Sequence, residues 1–244
     1  MSVLWQEVLY KPLFNALIFL YNTVAFGDMG IAIIELTIII RLLLLSPSLK
    51  ALRAQFALQK LQPELEKIKK KYKDDKQKQT QAALEFYQKH KVNPLSSCLP
   101  TLIQFPILIA LFWILKDGLK VENLQLLYPF VSRPEYLNNS LLGLVDLAAN
   151  KNLILALLAG IAQFFQSKMM MPKTTPGGGK GMQSIISSQL TYFMPVLTVI
   201  FAYQFPAGLA LYWAATTLFA IATQYFVLKE EKSGKLEVAK NKGE

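Results

Sequence analysis

Apolar and polar positions fall in long blocks along the chain, not at the period of a soluble amphipathic helix. Five apolar stretches run Met29 to Leu45, Leu95 to Leu115, Leu153 to Met171, Ile185 to Phe205 and Ala207 to Leu228. Each approaches the roughly 20 residues that a helix needs to cross a bilayer core. Two further blocks carry a helical period with a polar face. Glu7, Lys11, Asn15 and Asn22 lie within about 80° of one another at 100° per residue, leaving Trp5, Leu9, Leu13, Leu17 and Leu20 elsewhere. That profile predicts a helix lying in the membrane interface. A cleaved signal peptide is the competing reading, since Ala25 to Gly27 resembles a small-residue cleavage site; Lys11 inside the apolar region and the lack of a preceding basic residue speak against it. Ser46 to Asn93 is too polar for a membrane and reads as helical on both sides of Lys73 to Gln79, with Ser46 and Pro47 as a start signal and Leu49, Leu52 and Phe56 on one face.

The pattern predicts an all-α integral membrane protein. Residues 1–27 form the interfacial helix, 28–46 the first span, 47–93 a cytoplasmic helical hairpin and 94–116 the second span. An extracytoplasmic loop follows at 117–151, the third span at 152–171, a cytoplasmic Gly-rich loop at 172–183, the fourth and fifth spans at 184–205 and 206–228, and a basic cytoplasmic tail at 229–244. Composition agrees, because 53% hydrophobic with 17% charged residues is too apolar for an ordinary soluble domain. The net charge of +10 is informative through its location. Ser46 to Asn93 holds twelve basic against five acidic residues, a balance of +7, while Lys116 to Lys151 holds four of each. Short basic loops stay in the cytoplasm, which places the N-terminus outside and the C-terminus inside.

With that orientation, polar side chains sort to the cytoplasmic halves of the spans. Arg41 lies in the first, Ser96, Ser97, Thr101 and Gln104 in the second, and Gln163, Gln166 and Ser167 in the third. Ser184, Ser187, Ser188, Gln189 and Thr191 lie in the fourth, and Thr216, Thr217, Thr223 and Gln224 in the fifth. An arginine at mid-helix costs about 2.5 to 3.5 kcal/mol on insertion scales, so it normally faces protein or water. Snorkelling to the headgroups is the plainer alternative for Arg41. The company of polar residues favours a wet cavity open to the cytoplasm. Glu35 is offset from Arg41 by about 120° around the helix and roughly 9 Å along it, so the two do not share a face. It is expected either to pair with another span or to stay protonated.

Enzyme chemistry finds no footing. Cys98 and His90 are the single residues of their kinds, which leaves no structural zinc site and no base near the membrane serines for a Ser-His triad. Gly177 to Gly181 lacks the spacing of a phosphate-binding loop. No cofactor is expected.

The blocks TIIIRLLLL (37 to 45), LQPELEKIKKKY (61 to 72), NPLSSCLPTLIQFPILIALF (93 to 112), YFMPVLT (192 to 198) and FPAGLALYW (205 to 213) resemble, in order, those of the YidC, Oxa and Alb family of membrane protein insertases, over roughly residues 28 to 228. The likeness is to the compact bacterial form. It implies five transmembrane helices around a hydrophilic groove, with Arg41 as the groove arginine, Gln104 as the glutamine of the second span, Gln163 or Gln166 for the third, and Tyr212 and Trp213 for the fifth. Glu35, Ser97, Thr216 and Thr217 depart from the family pattern. The resemblance further implies an insertase and chaperone of the bacterial cytoplasmic membrane, with nascent membrane proteins as substrates and lipid as the receiving phase. The hairpin is expected either to be a solvated connector or to dock ribosomal RNA, anionic lipid or a targeting factor, and hairpin and tail are the expected contacts to the ribosome, the signal-recognition-particle receptor and the Sec translocon. No DNA is expected. An accessory subunit of a Sec translocon, or an ion or proton transporter using Arg41 and Glu35, are the other readings; the apolar outer halves count against a transporter.

Overall fold

The computed structural model describes residues 3–90, 92–93, 99–119, 121–171 and 182–232. The chain begins with α1 (Val3–Trp5), a π-helical turn (Gln6–Tyr10) and α2 (Lys11–Thr23), which run on without a break. Phe26 and Gly27, both with positive φ (51° and 76°), reverse the chain into α3 (Met29–Leu43). Asp28 caps α3, its Oδ1 accepting from Ile31 N at 2.9 Å. At Leu44 the axis bends by 66° into α4 (Leu45–Lys71). Pro47 therefore falls in the first turn of α4, where its missing N–H has no helical partner to lose.

Helix α5 (Lys76–Lys89) returns against α4. The reversal between them, 72–75, is shorter than the Lys73 to Gln79 turn expected, because Asp75 caps α5 by accepting from Lys78 N at 3.0 Å and Gln79 Nε2 reaches back to Lys69 O at 2.7 Å. The bond from Lys78 N holds the Asp75 carboxyl below its ordinary pKa. That capping contribution is complete above the unfolded value and is lost as pH falls through the lowered folded one.

Helix α6 (Leu99–Trp113) continues through a π-helical turn (Ile114–Gly118), and a 3₁₀ turn (Val121–Leu126) follows. The all-α expectation misses a small antiparallel hairpin of β1 (Ser140–Leu141) and β2 (Val145–Asp146), with Leu141 opposite Val145. The last helices are α7 (Leu153–Met169), α8 (Met182–Gln204) and α9 (Ala207–Lys232). Among the described residues, Ala207–Glu230 is the one helix long and apolar enough to cross a membrane alone, and the bent pair α3 with α4 meets that measure together. Leu153–Met169 and Thr191–Gln204 are apolar but shorter, so length alone supports fewer crossings than the five apolar runs predict.

Helix α7 packs on both α8 and α9, and α9 on α3. Small residues make the approach close. Ala156, Ala159, Gly160 and Ala162 on α7 and Ala207, Ala210 and Ala214 on α9 are buried. A Cβ on Gly160 would stand 3.3 Å from Pro195 O and overlap the Val199 side chain. Dispersion between backbones in close contact is the attraction available where lipid is as apolar as the helices. The opposite face of α7 exposes Leu153, Ile154, Leu157, Leu158, Ile161 and Phe165. From Leu153 to Ala162 the helix is apolar all round, which suits a membrane.

The polar stripe of the N-terminal helix meets protein. Asn15, 2% exposed, donates to Lys11 O (2.8 Å) and Leu126 O (3.1 Å) and accepts from Tyr128 N (2.6 Å). Asn22 donates to Ser132 O at 2.6 Å. The segment after α6 thus lies on α2, while Phe14, Leu17 and Ile18 enter the core against α3 and α6. Asn15→Leu strands a buried donor and acceptor, each worth about 1–3 kcal/mol when unpaired. Its thermal midpoint in detergent is expected to fall, whereas the exposed Asn22→Ala should change stability by no more than about 0.5 kcal/mol.

A second, smaller cluster joins Leu52 and Phe56 of α4 to Val227 of α9, with Leu49, Met170 and Leu228 around it. Arg53 Nη2 meets Glu230 Oε2 at 3.0 Å, and Gln59 Nε2 donates to Met170 O at 2.7 Å. The base of the hairpin is therefore fastened to the ends of α7 and α9.

Candidate functional site

Three helices bring polar side chains together inside the bundle. Gln104 on α6 donates from Nε2 to the Tyr212 hydroxyl on α9, and Tyr212 is 2% exposed. Arg41, in the last turn of α3, lies within electrostatic reach of Tyr212. Its Nε is buried without a hydrogen-bond partner, and no carboxylate among the described residues forms a salt bridge with it. Thr216, one turn beyond Tyr212 on the same face of α9, buries its Oγ1 beside the Tyr212 hydroxyl. Glu35 Oε2 and Gln224 Oε1 are buried without a hydrogen-bond partner among the described residues.

The hydroxyls of this region are not equivalent. Thr37 donates to Ile33 O at 2.6 Å, Thr217 to Trp213 O at 2.9 Å and Thr223 to Phe219 O at 2.9 Å, each closing on its own helix. They need nothing from outside. Arg41 does, because its Nε is a charged donor buried without a partner, and such a group is costly in a low-dielectric interior. The Gln104–Tyr212 bond leaves the Gln104 carbonyl free to accept. Together these groups offer a positive charge and several hydrogen-bonding atoms to an entering polar chain.

Of the residues predicted from sequence, Arg41, Gln104 and Tyr212 come together. Gln163 donates to Ser167 Oγ at 3.4 Å along its own helix, while Gln166 and Trp213 are half-buried, and no described hydrogen bond joins any of the three to Arg41. Ser96, Ser97 and Cys98 lie outside the described residues, as do the side chains of Thr101, Ser184, Ser187, Ser188 and Gln189. Glu35 finds no partner among the described residues, so the expected pairing with another span is not seen. The pairing of Gln104 with Tyr212 was not foreseen, since the two are 108 positions apart and the resemblance placed both in the groove without joining them.

Helices apolar on their outer faces, packed through small residues around unpaired polar atoms and an arginine, define a helical membrane protein with an internal polar site. The model of the 60Kd inner membrane protein family matches residues 19–234, and the chain belongs to that family. Its relatives carry the names of insertases. It is 36% identical to the membrane protein insertase YidC of Fusobacterium nucleatum, covering 92% of this chain and 99% of that protein. It is 36% identical to the insertase MisCA of Bacillus subtilis, over 92% and 79% of the two chains. With YidC of Hahella chejuensis the identity is 31%, over 97% of this chain and 37% of that much longer protein. A crystal structure of an active YidC insertase with its first transmembrane domain resolved superposes with a TM-score of 0.60 at 27% identity, over 92% of this chain and 47% of that one.

Proposed function

We propose that this membrane protein insertase receives the polar tail of a newly made membrane protein at Arg41, Gln104, Tyr212 and Thr216, and releases the following apolar segment sideways into lipid. The observation that supports it is the buried, unpartnered Arg41 Nε close to the Gln104–Tyr212 bond. Backbone amides crossing hydrocarbon must find partners, and each group left unmet costs several kcal/mol. A site that holds polar atoms part-way through lowers that barrier, and a guanidinium lowers it most for acidic tails. Burial of the apolar segment in lipid then drives release, so no nucleotide is required.

In this reading five helices cross the bacterial plasma membrane, with the N-terminus outside and the C-terminus in the cytoplasm. The groove opens to the cytoplasm. Gln163 and Gln166 on α7 line its far wall, and Trp213 stands beside Tyr212. Lateral release follows the outward apolar faces of α7 and α9, where Leu157, Leu158, Ile161, Leu218, Tyr225 and Phe226 are exposed. The hairpin α4–α5, with its Lys-rich surface, meets the ribosome, the signal-recognition-particle receptor or the Sec translocon.

Proteoliposomes containing only this protein test the reading. A single-span substrate with an acidic N-terminal tail is offered, and protection of the tail from added protease is measured. Protection well above that of empty liposomes is expected. A well-folded protein that gives none would instead act as an accessory subunit, and protection would then appear only with a Sec channel present.

A further inference from the structure

Two turns in the structure break the same rule in the same way. Between α2 and α3, Asp28 N donates to Ala25 O at 2.9 Å around Phe26 and Gly27, whose φ values are 51° and 76°. Between β1 and β2, Leu144 N donates to Leu141 O at 2.9 Å around Leu142 and Gly143, at 52° and 69°. A left-handed pair of this kind is normally Asn-Gly or Asp-Gly, because a short polar side chain tolerates positive φ and a bulky apolar one does not. Here the first position is phenylalanine in one turn and leucine in the other. Neither is held there by packing, since Phe26 is 94% exposed and Leu142 is also exposed. Leu144, beside the second turn, is 84% exposed.

Asp28 ties the two turns to each other. Its Oδ1 caps α3 while its Oδ2 accepts from Leu142 N at 2.5 Å. Gly30 lies so close to Leu141 that a Cβ would stand 2.9 Å from the Leu141 Cα. Backbone bonds from Ala207 N to Ala149 O and from Gly208 N to Leu147 O, each 2.9 Å, fix the segment after the hairpin to the start of α9. The height of both tips is thereby set against the first residues of α3 and α9, at the end of the bundle where these helices begin. From the same segment the chain enters α7, whose exposed apolar face starts at Leu153.

We infer that Phe26, Leu142 and Leu144 form a paired apolar foot that enters the headgroup region of the lipid leaflet at the N-terminal end of α3. The inference rests on the reading of α3, α7 and α9 as membrane-crossing helices. Lipid is the occupant because the exposed apolar tips are held level with the ends of helices whose outward faces are themselves apolar. Tyr136, exposed on the same side, has its backbone carbonyl beside the Tyr21 hydroxyl (3.4 Å), and aromatic residues are enriched at that depth. The foot would fix the depth and tilt of the bundle while the interior passes a polar chain.

Spin labels on cysteines placed singly at 26, 142 or 144, in a Cys98→Ser background reconstituted in phosphatidylglycerol and phosphatidylethanolamine vesicles, test this. Oxygen should relax the foot labels more than a water-soluble nickel chelate does, corresponding to a depth of about 5 Å or more. Labels at Gln77 on the hairpin and Leu158 on α7 supply the aqueous and lipid references. Foot labels that match Gln77 overturn the inference, and labels shielded from both reagents overturn it in favour of a protein partner or a second copy. If Leu158 itself is not oxygen-rich, the crossing of α7 has failed instead. The double variant Phe26→Asn with Leu142→Asn provides a second readout: its thermal midpoint in detergent should hold or rise as the left-handed strain is relieved, while a label at 144 moves toward water. A midpoint that falls in detergent would assign these residues to packing and overturn the foot.

Discussion

Arg41→Ala is expected to reduce insertion of a substrate with an acidic tail at least tenfold in the proteoliposome assay, with the protein still folded. At about 4 Å and an effective dielectric near 20, a guanidinium and a carboxylate attract by about 4 kcal/mol. Even a third of that, left after desolvation, corresponds to tenfold. No carboxylate among the described residues forms a salt bridge with Arg41, so its removal breaks no such bridge and should not unfold the bundle. Arg41→Lys is expected to retain much of the activity on acidic tails, because the charge persists, but to lose more on neutral tails that use the donors of the guanidinium fork. Equal insertion by wild type and Arg41→Ala across acidic tails would remove Arg41 from the mechanism.

Gly30→Ala is expected to destabilise the protein by about 1–3 kcal/mol, the usual range for forcing extra atoms into a packed contact. The added methyl would stand 2.6 Å from the Leu141 Cβ and 2.9 Å from its Cα. Backbone cannot swing aside as a side chain tip does. The hairpin must move, and with it the bond from Leu142 N to Asp28 Oδ2. The measurements are thermal unfolding in detergent and protease cleavage between residues 138 and 148. Gly143→Ala has open space around it and tests the other variable, since only its positive φ of 69° opposes the change. It should cost less than Gly30→Ala. A Gly30→Ala protein as stable and as resistant as wild type would show that α3 and the hairpin are not in firm contact.

Where the sequence was legible, the period and length of apolar runs carried the information. The helices fall where those runs lie because every backbone group in an apolar medium must be satisfied within its own segment. Two things could not be read. The hairpin has only two residues in each strand, too few to register as alternation, and its turn carries leucine where the rule asks for asparagine. The fate of Asn15 was also hidden: a polar residue on an amphipathic helix faces water by default, and only the later segment that covers it reveals a buried, triply bonded side chain. The site divides on the same line. Arg41 and Gln104 stood out as polar residues in apolar helices, but their meeting with Tyr212 depends on how α3, α6 and α9 pack, and periodicity does not specify neighbours.

The fastening of α4 to α9 divides the α4–α5 hairpin into a firm root and a loose arm. The root owns Leu52, Phe56, Val227 and the Arg53–Glu230 bridge, whereas α5 buries no side chain at all. Amide protons should therefore exchange in sequence from α5 toward the root, since local opening is governed by the apolar contact that must be broken. Helix α4, at 27 residues, spans roughly 40 Å. Its contact with the end of α9, the helix that carries Tyr212 and Thr216, is made at Leu52, Phe56 and Arg53. The root thus joins the hairpin directly to the helix that carries the polar site.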